Sequence, residues 1–143
     1  MLRADVNSAQ LQRVIGQVQG MKKDVQAKAE LALNYHALNI ESNAKKAVPV
    51  DTGVLQSSIK TEKLGSLGRA VHTNVEYAPY VEFGTREKVN TTISGVDYSE
   101  VAIQFKKSDG GPGGVPPRPY LFPAFEKEKK ELLKSLRKIT NGR

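Results

Sequence analysis

Asp51-Thr52-Gly53, two histidines at positions 36 and 72, and the glycine run from 110 to 114 are the places where this chain could carry chemistry. Asp-Thr-Gly is the triplet of aspartic hydrolysis, which needs two carboxylates sharing a proton at close range. A single copy is present, so a homodimer would have to supply the second, and it follows a helix-ending Val48-Pro49 instead of sitting in a hydrophobic β-hairpin. It reads as a turn, in which Asp51 bonds nearby amides and Gly53 takes a positive φ. A nucleophile–base–carboxylate triad needs a histidine beside a hydroxyl, whereas His36 falls on the apolar face of a helix and His72 inside a strand, both structural positions. Gly110 to Gly114 lacks the following Lys-Ser/Thr of a phosphate cradle and opens no helix. Glu82, Glu87, Asp97 and Glu100 are scattered without histidine, so no metal set is expected. The chain is not expected to be an enzyme, and no cofactor is implied.

At 143 residues the chain fits one domain, 1–143, large enough to bury about two-thirds of the surface its unfolded form would expose. No apolar run approaches the roughly 20 residues that span a bilayer, and the first ten residues are too polar for a secretory signal. A cytoplasmic site of synthesis is expected, with no membrane partner. The absence of cysteine excludes disulfides and thiolate zinc sites. The net charge of +7 is terminal: residues 51 to 125 hold eight Lys/Arg against eight Asp/Glu, whereas residues 126 to 143 hold seven against three. Either an anionic partner or the solvated face of Lys-rich helices accounts for that excess.

The elements that must position these residues follow from periodicity. Val25, Ala29, Ala32, Leu33, His36, Ile40, Ala44 and Ala47 recur at three- and four-residue steps, predicting a long helix from Lys22 to Ala47 that Pro49 ends. Leu11, Val14, Ile15 and Val18 predict a shorter helix before it, capped by Asn7 or Ser8 and hinged near Gly20. Val54 to Glu62 and Arg69 to Val75 read as strands joined by Gly65-Ser66-Leu67-Gly68. Tyr98 to Lys106, with Val101, Ile103 and Phe105 alternating, is the best further strand. Pro119 to Ile139 predicts a C-terminal helix with Leu121, Phe125, Leu132, Leu133, Leu136 and Ile139 on its stripe, acidic early and basic late as the helix dipole favours. The fold class is therefore α+β: a long N-terminal and a C-terminal helix on a small antiparallel sheet. A long Gly/Pro-rich loop, about 86–118, reads as a mobile arm with a strand embedded in it.

Aromatics gather at Tyr77, Tyr80 and Phe83 and again at Tyr120, Phe122 and Phe125, each group beside a proline. Packing against each other or against a neighbouring subunit explains them better than nucleic-acid stacking, which wants basic residues interleaved with aromatics. Three blocks stand in order behind the long helix: Val48-Pro-Val-Asp-Thr-Gly-x-Leu-x-x-Ser-Ile59, Tyr77-Ala-x-Tyr-Val-Glu-Phe-Gly-Thr85, and Pro116-x-Arg-Pro-Tyr-Leu-x-Pro-Ala-Phe125. From about Lys22 to Leu136 the chain resembles the minor tail-component, or tail-completion, family of long-tailed bacteriophages and prophages. By that resemblance Asp51, Thr52 and Gly53 match the family's helix-to-strand turn, Leu55 and Ile59 its first strand, and Arg118 to Phe125 the entry to its final helix. The insert from about Glu87 to Pro117 departs from the pattern.

The resemblance implies a structural protein of the virion neck, made in the bacterial host cytoplasm. It would assemble as a ring of its own copies, hexameric when assembled, between a head-connector or stopper protein and a tail-terminator or tail-tube protein. Tyr77, Tyr80, Glu82, Phe83, Arg118 and Tyr120 are the candidate assembly interface, aromatics and arginine being the usual anchors. Lys127, Lys130, Lys134 and Lys138 are the candidate residues facing DNA in the lumen, and Asp51, Thr52 and Gly53 form the structural turn. A freestanding basic DNA-binding module is the alternative.

Overall fold

Two long helices carry the core, and each is built on an apolar stripe that the other covers. A computed structural model of the chain, which describes residues 1–5, 9–103 and 113–141, places α1 at Ala9–Gln19, α2 at Lys23–Ala47 and α6 at Leu121–Thr140. The most extensive packing is between α2 and α6, with α1 against both. Leu33, Ile40, Leu132 and Leu136 are essentially sealed from solvent there. Each such side chain is worth roughly 1.5–3 kcal/mol of transfer free energy. The break at Gly20 and the end of α2 before Pro49 stand where sequence periodicity puts them. Asn7 and Ser8, the expected caps of α1, lie outside the described residues.

Beneath the helices is a three-stranded antiparallel sheet in the order β1-β3-β2, with β1 at Leu2–Asp5, β2 at Lys60–Lys63 and β3 at Arg69–Thr73. The central β3 pairs Leu2 with Thr73 on one side and Lys63 with Arg69 on the other. Buried on nearly every position, it shows the pattern of a strand covered on both sides. β1 has no sequence signal of its own, because four residues with two buried alternate positions, Leu2 and Ala4, become a strand only by pairing. The α+β architecture read from the sequence is the architecture observed.

Two expected strands are corrected. Val54 to Glu62 splits into a helix, α3, at Val54–Ser58, followed by β2. Leu55 and Ile59 are both buried, and a four-residue interval satisfies both a two-residue and a 3.6-residue period, so the pattern alone could not choose. Gly53, at φ 81°, turns the chain into α3, and the Ser57 amide closes on the Gly53 carbonyl at 3.0 Å. Tyr98 to Lys106 instead begins with α5, Ser99–Ile103. The Asp97 carboxylate accepts the Ser99 amide at 2.8 Å, and that bond holds its pKa below the ordinary carboxylate value. Residues 104 to 112, including Phe105 and most of the Gly/Pro run, lie outside the described residues. Within the expected loop stand a 3-10 turn at Arg86–Lys88 and a two-stranded hairpin, β4 at Thr92–Ile93 and β5 at Val96–Asp97. Residues 113–118 lie along the preceding helix α4, Ala78–Phe83, tied by Thr85 to Val115 at 3.0 Å and by Arg118 to Val81 at 2.7 Å.

Candidate functional site

Separated in sequence by residues 60–76 and 86–115, the three motif blocks meet around one open groove. Its volume is about 650 Å³, and its walls come from the Pro49 to Leu55 turn, from Tyr77 and Tyr80 on α4, and from Val115, Pro116 and Arg118 on the returning segment. Local geometry explains the wall of tyrosines. With Pro79 in its first turn, which presets a helical φ, α4 follows directly on its cap residue Tyr77, so the exposed Tyr77 and the half-buried Tyr80 line the groove while Ala78, Pro79, Glu82 and Phe83 are buried. Gly84 lets the chain leave α4 at φ 81°, with the Lys88 carbonyl 2.8 Å and the Pro117 nitrogen 2.9 Å from where a Cβ would stand. Only glycine fits that joint.

On the inner side the same two blocks are locked by a buried carboxylate. Glu82 is fully buried and accepts the amides of Tyr120 at 3.2 Å and Leu121 at 2.8 Å, the first free donors of α6. The Tyr120 hydroxyl donates back to the Ala78 carbonyl at 3.2 Å. Desolvation raises the Glu82 pKa to about 7, against the pull of these amides. Beside it, Tyr98 stacks on Phe122 with centroids 4.2 Å apart, and Phe83 lies 5.8 Å from the same ring. The Tyr98 hydroxyl donates to Glu126, and burial together with that carboxylate pushes its pKa up, keeping it a donor. Glu126 also pairs with Lys129 at 3.1 Å.

Between α2 and α6 lies an array with the outline of a triad. His36 Nδ1 is 2.6 Å from Glu128 and its Nε2 is 3.0 Å from the Ser135 hydroxyl. It lacks what acyl transfer requires. Ser135 sits mid-helix in α6, where backbone amides already bond to carbonyls four residues back, so none is left to hold an oxyanion. Asn39, the nearby side-chain amide, donates to Glu128 at 3.0 Å. The array clamps the two helices. No group of three or more histidines and carboxylates among the described residues is placed to hold a metal.

Of the residues singled out in the sequence, the groove brings together Asp51, Thr52, Gly53, Tyr77, Tyr80 and Arg118. Three others in the same set are corrected: Glu82, Phe83 and Tyr120 are interior, because the helical turn of α4 and the start of α6 direct them into the core, so they shape the groove from behind. In the turn the side-chain bond to an amide comes from Thr52, whose hydroxyl accepts the Val54 amide at 3.4 Å. Lys127, Lys130, Lys134 and Lys138 are all exposed along one face of α6, with Lys134 3.5 Å from Glu131. Val54 and Val115 were missed as groove residues. Val54 is the variable apolar position inside the first motif and Val115 the apolar residue just before the third, and that placement was the available signal. In comparisons with known proteins, the family described as "Bacteriophage HK97-gp10, putative tail-component" matches residues 12–84. No curated protein and no solved structure matches the chain significantly.

Proposed function

Because the chain belongs to the HK97-gp10-like family of bacteriophage tail components, we propose that it works at the head–tail connection, as a self-assembled ring joining the head connector to the tail tube. The observation that carries this reading is the groove. Three separated motif blocks converge on an apolar, tyrosine-lined surface, while their other members seal the interior behind it. That division suits a protein whose work is to present a shaped face to neighbours. Its partners in this reading are its own copies, a connector or stopper protein above and a tail-terminator or tail-tube protein below. Among the described residues no helix is long and apolar enough to cross a membrane. The test is a phage defective in this gene: filled heads and finished tails should accumulate unjoined, and tagged protein should restore joining and appear by electron microscopy at the neck. Normal particles without the protein would sink the reading.

A second activity, contact with DNA, is favoured by one observation. Lys127, Lys130, Lys134 and Lys138 form an exposed basic stripe on α6. In the ring this stripe lines the lumen. As a freestanding property it would give the purified chain salt-dependent affinity for duplex DNA, since each neutralised phosphate releases a counterion.

A further inference from the structure

A second apolar surface lies on the far side of α2. Leu31, Tyr35 and Leu38 are 70%, 62% and 46% exposed, although the same helix buries Leu33, His36, Ala37 and Ile40. Steps of four and three residues align them on one stripe, the anchor spacing by which an amphipathic helix seats in an apolar groove. Asp24 and Lys28, both exposed, continue that face toward the start of the helix. The groove has the concave form to match, with Val54 and Val115 more than half exposed on its walls and the charged residues Asp51 and Arg118 among those that line it.

We propose that the Leu31–Tyr35–Leu38 face of α2 in one copy seats in the Val54–Tyr77–Arg118 groove of the next, with Arg118 meeting Asp24 and Asp51 meeting Lys28. This rests on the ring reading and specifies its contact. A second copy is the fitting occupant because the two surfaces occupy different parts of one protomer, one convex and one concave, with charges of both signs on each. A head-to-tail contact of that kind covers both surfaces in every subunit of a closed ring. Pairing of two α2 stripes about a dyad would cover one surface and leave the groove open. Three anchors are few beside the roughly 800 Å² per partner of a stable complex, which is the character of a ring that closes on a template surface.

The chain has no cysteine, so an introduced pair reports the contact directly. Leu38→Cys together with Val54→Cys should crosslink, in assembled protein, into a ladder that ends at the closed ring, while each single variant stays monomeric on a denaturing gel. A dimer from Leu38→Cys alone would show α2 pairing with itself and overturn the proposal. So would the lack of a ladder in preparations where electron microscopy shows rings, because the ring reading would stand and the contact would lie elsewhere. If neither the purified chain nor the virion contains a ring, the ring reading falls and this contact with it. Arg118→Asp should raise the concentration needed for ring formation about tenfold. Adding Asp24→Arg to that chain should restore it, and failure to restore it would exclude the pairing of those two residues.

Discussion

Glu82 is a charged residue inside a surface motif that the structure turns inward, and its position makes it measurable. Its ordinary pKa is 4.5 and its folded value about 7, so the folded chain holds the proton more tightly than the unfolded one. The resulting contribution is complete below pH 4.5 and is lost as pH rises to about 7, on the order of 3 kcal/mol across that window. Glu82→Gln cannot ionise and should flatten this slope in denaturant unfolding measured from pH 4 to 8; an unchanged slope would place its origin elsewhere. Glu82→Ala strands the Tyr120 and Leu121 amides and should cost about 2–4 kcal/mol below pH 4.5, where the contribution is complete, and less as pH rises toward 7. At the clamp between α2 and α6, Glu128→Ala removes the partner of both His36 and Asn39 and should lower the unfolding free energy by about 1–3 kcal/mol. The sequence put His36 on an apolar face and named it structural, which holds. It could not show the carboxylate that satisfies it, 92 residues away.

At the scale of elements, what was legible depended on whether a pattern fits one period or two. The stripes of α1, α2 and α6 run for two or more turns at mixed three- and four-residue steps and admit only the helical reading. Leu55 and Ile59 span a single four-residue step, and the positive φ of Gly53 decided for α3. Alternation at Val101 and Ile103 suggested a strand, yet Tyr98 and Ala102 are the buried pair, a helical interval fixed by the Asp97 cap. The segment read as a mobile arm therefore contributes to the core. Deleting residues 89–115 would remove Tyr98 from Phe122 and Glu126, so such a deletion tests folding before it tests assembly. Gly84→Ala is the sharper probe of the joint between α4 and the returning segment. Its positive φ and contacts under 3 Å predict a loss of more than about 1 kcal/mol, read as a lower thermal midpoint with the helical spectrum retained.

Across the whole molecule, helices, sheet and the 92–103 segment share one apolar cluster that includes Leu2, Ile93, Tyr98 and Leu136. A single cooperative unfolding transition is expected, with coincident far-ultraviolet and tyrosine signals; two separated transitions would contradict it. Neutralising Lys127, Lys130, Lys134 and Lys138 to Gln should leave that transition within about 0.5 kcal/mol, as surface changes do, while reducing the salt dependence of any DNA binding. The sequence by itself determined the fold class, the two long helices and the family to which the chain belongs, because long periodic stripes and ordered motifs are local properties that survive without coordinates. Only the tertiary structure decided which motif residues face outward. Phe83 and Tyr80 are both aromatic and three residues apart, yet Phe83 is interior and the half-buried Tyr80 lines the groove, a difference that follows from the turn of α4 and from what α6 covers. The groove is likewise a product of folding, since its walls come from segments that no periodicity links.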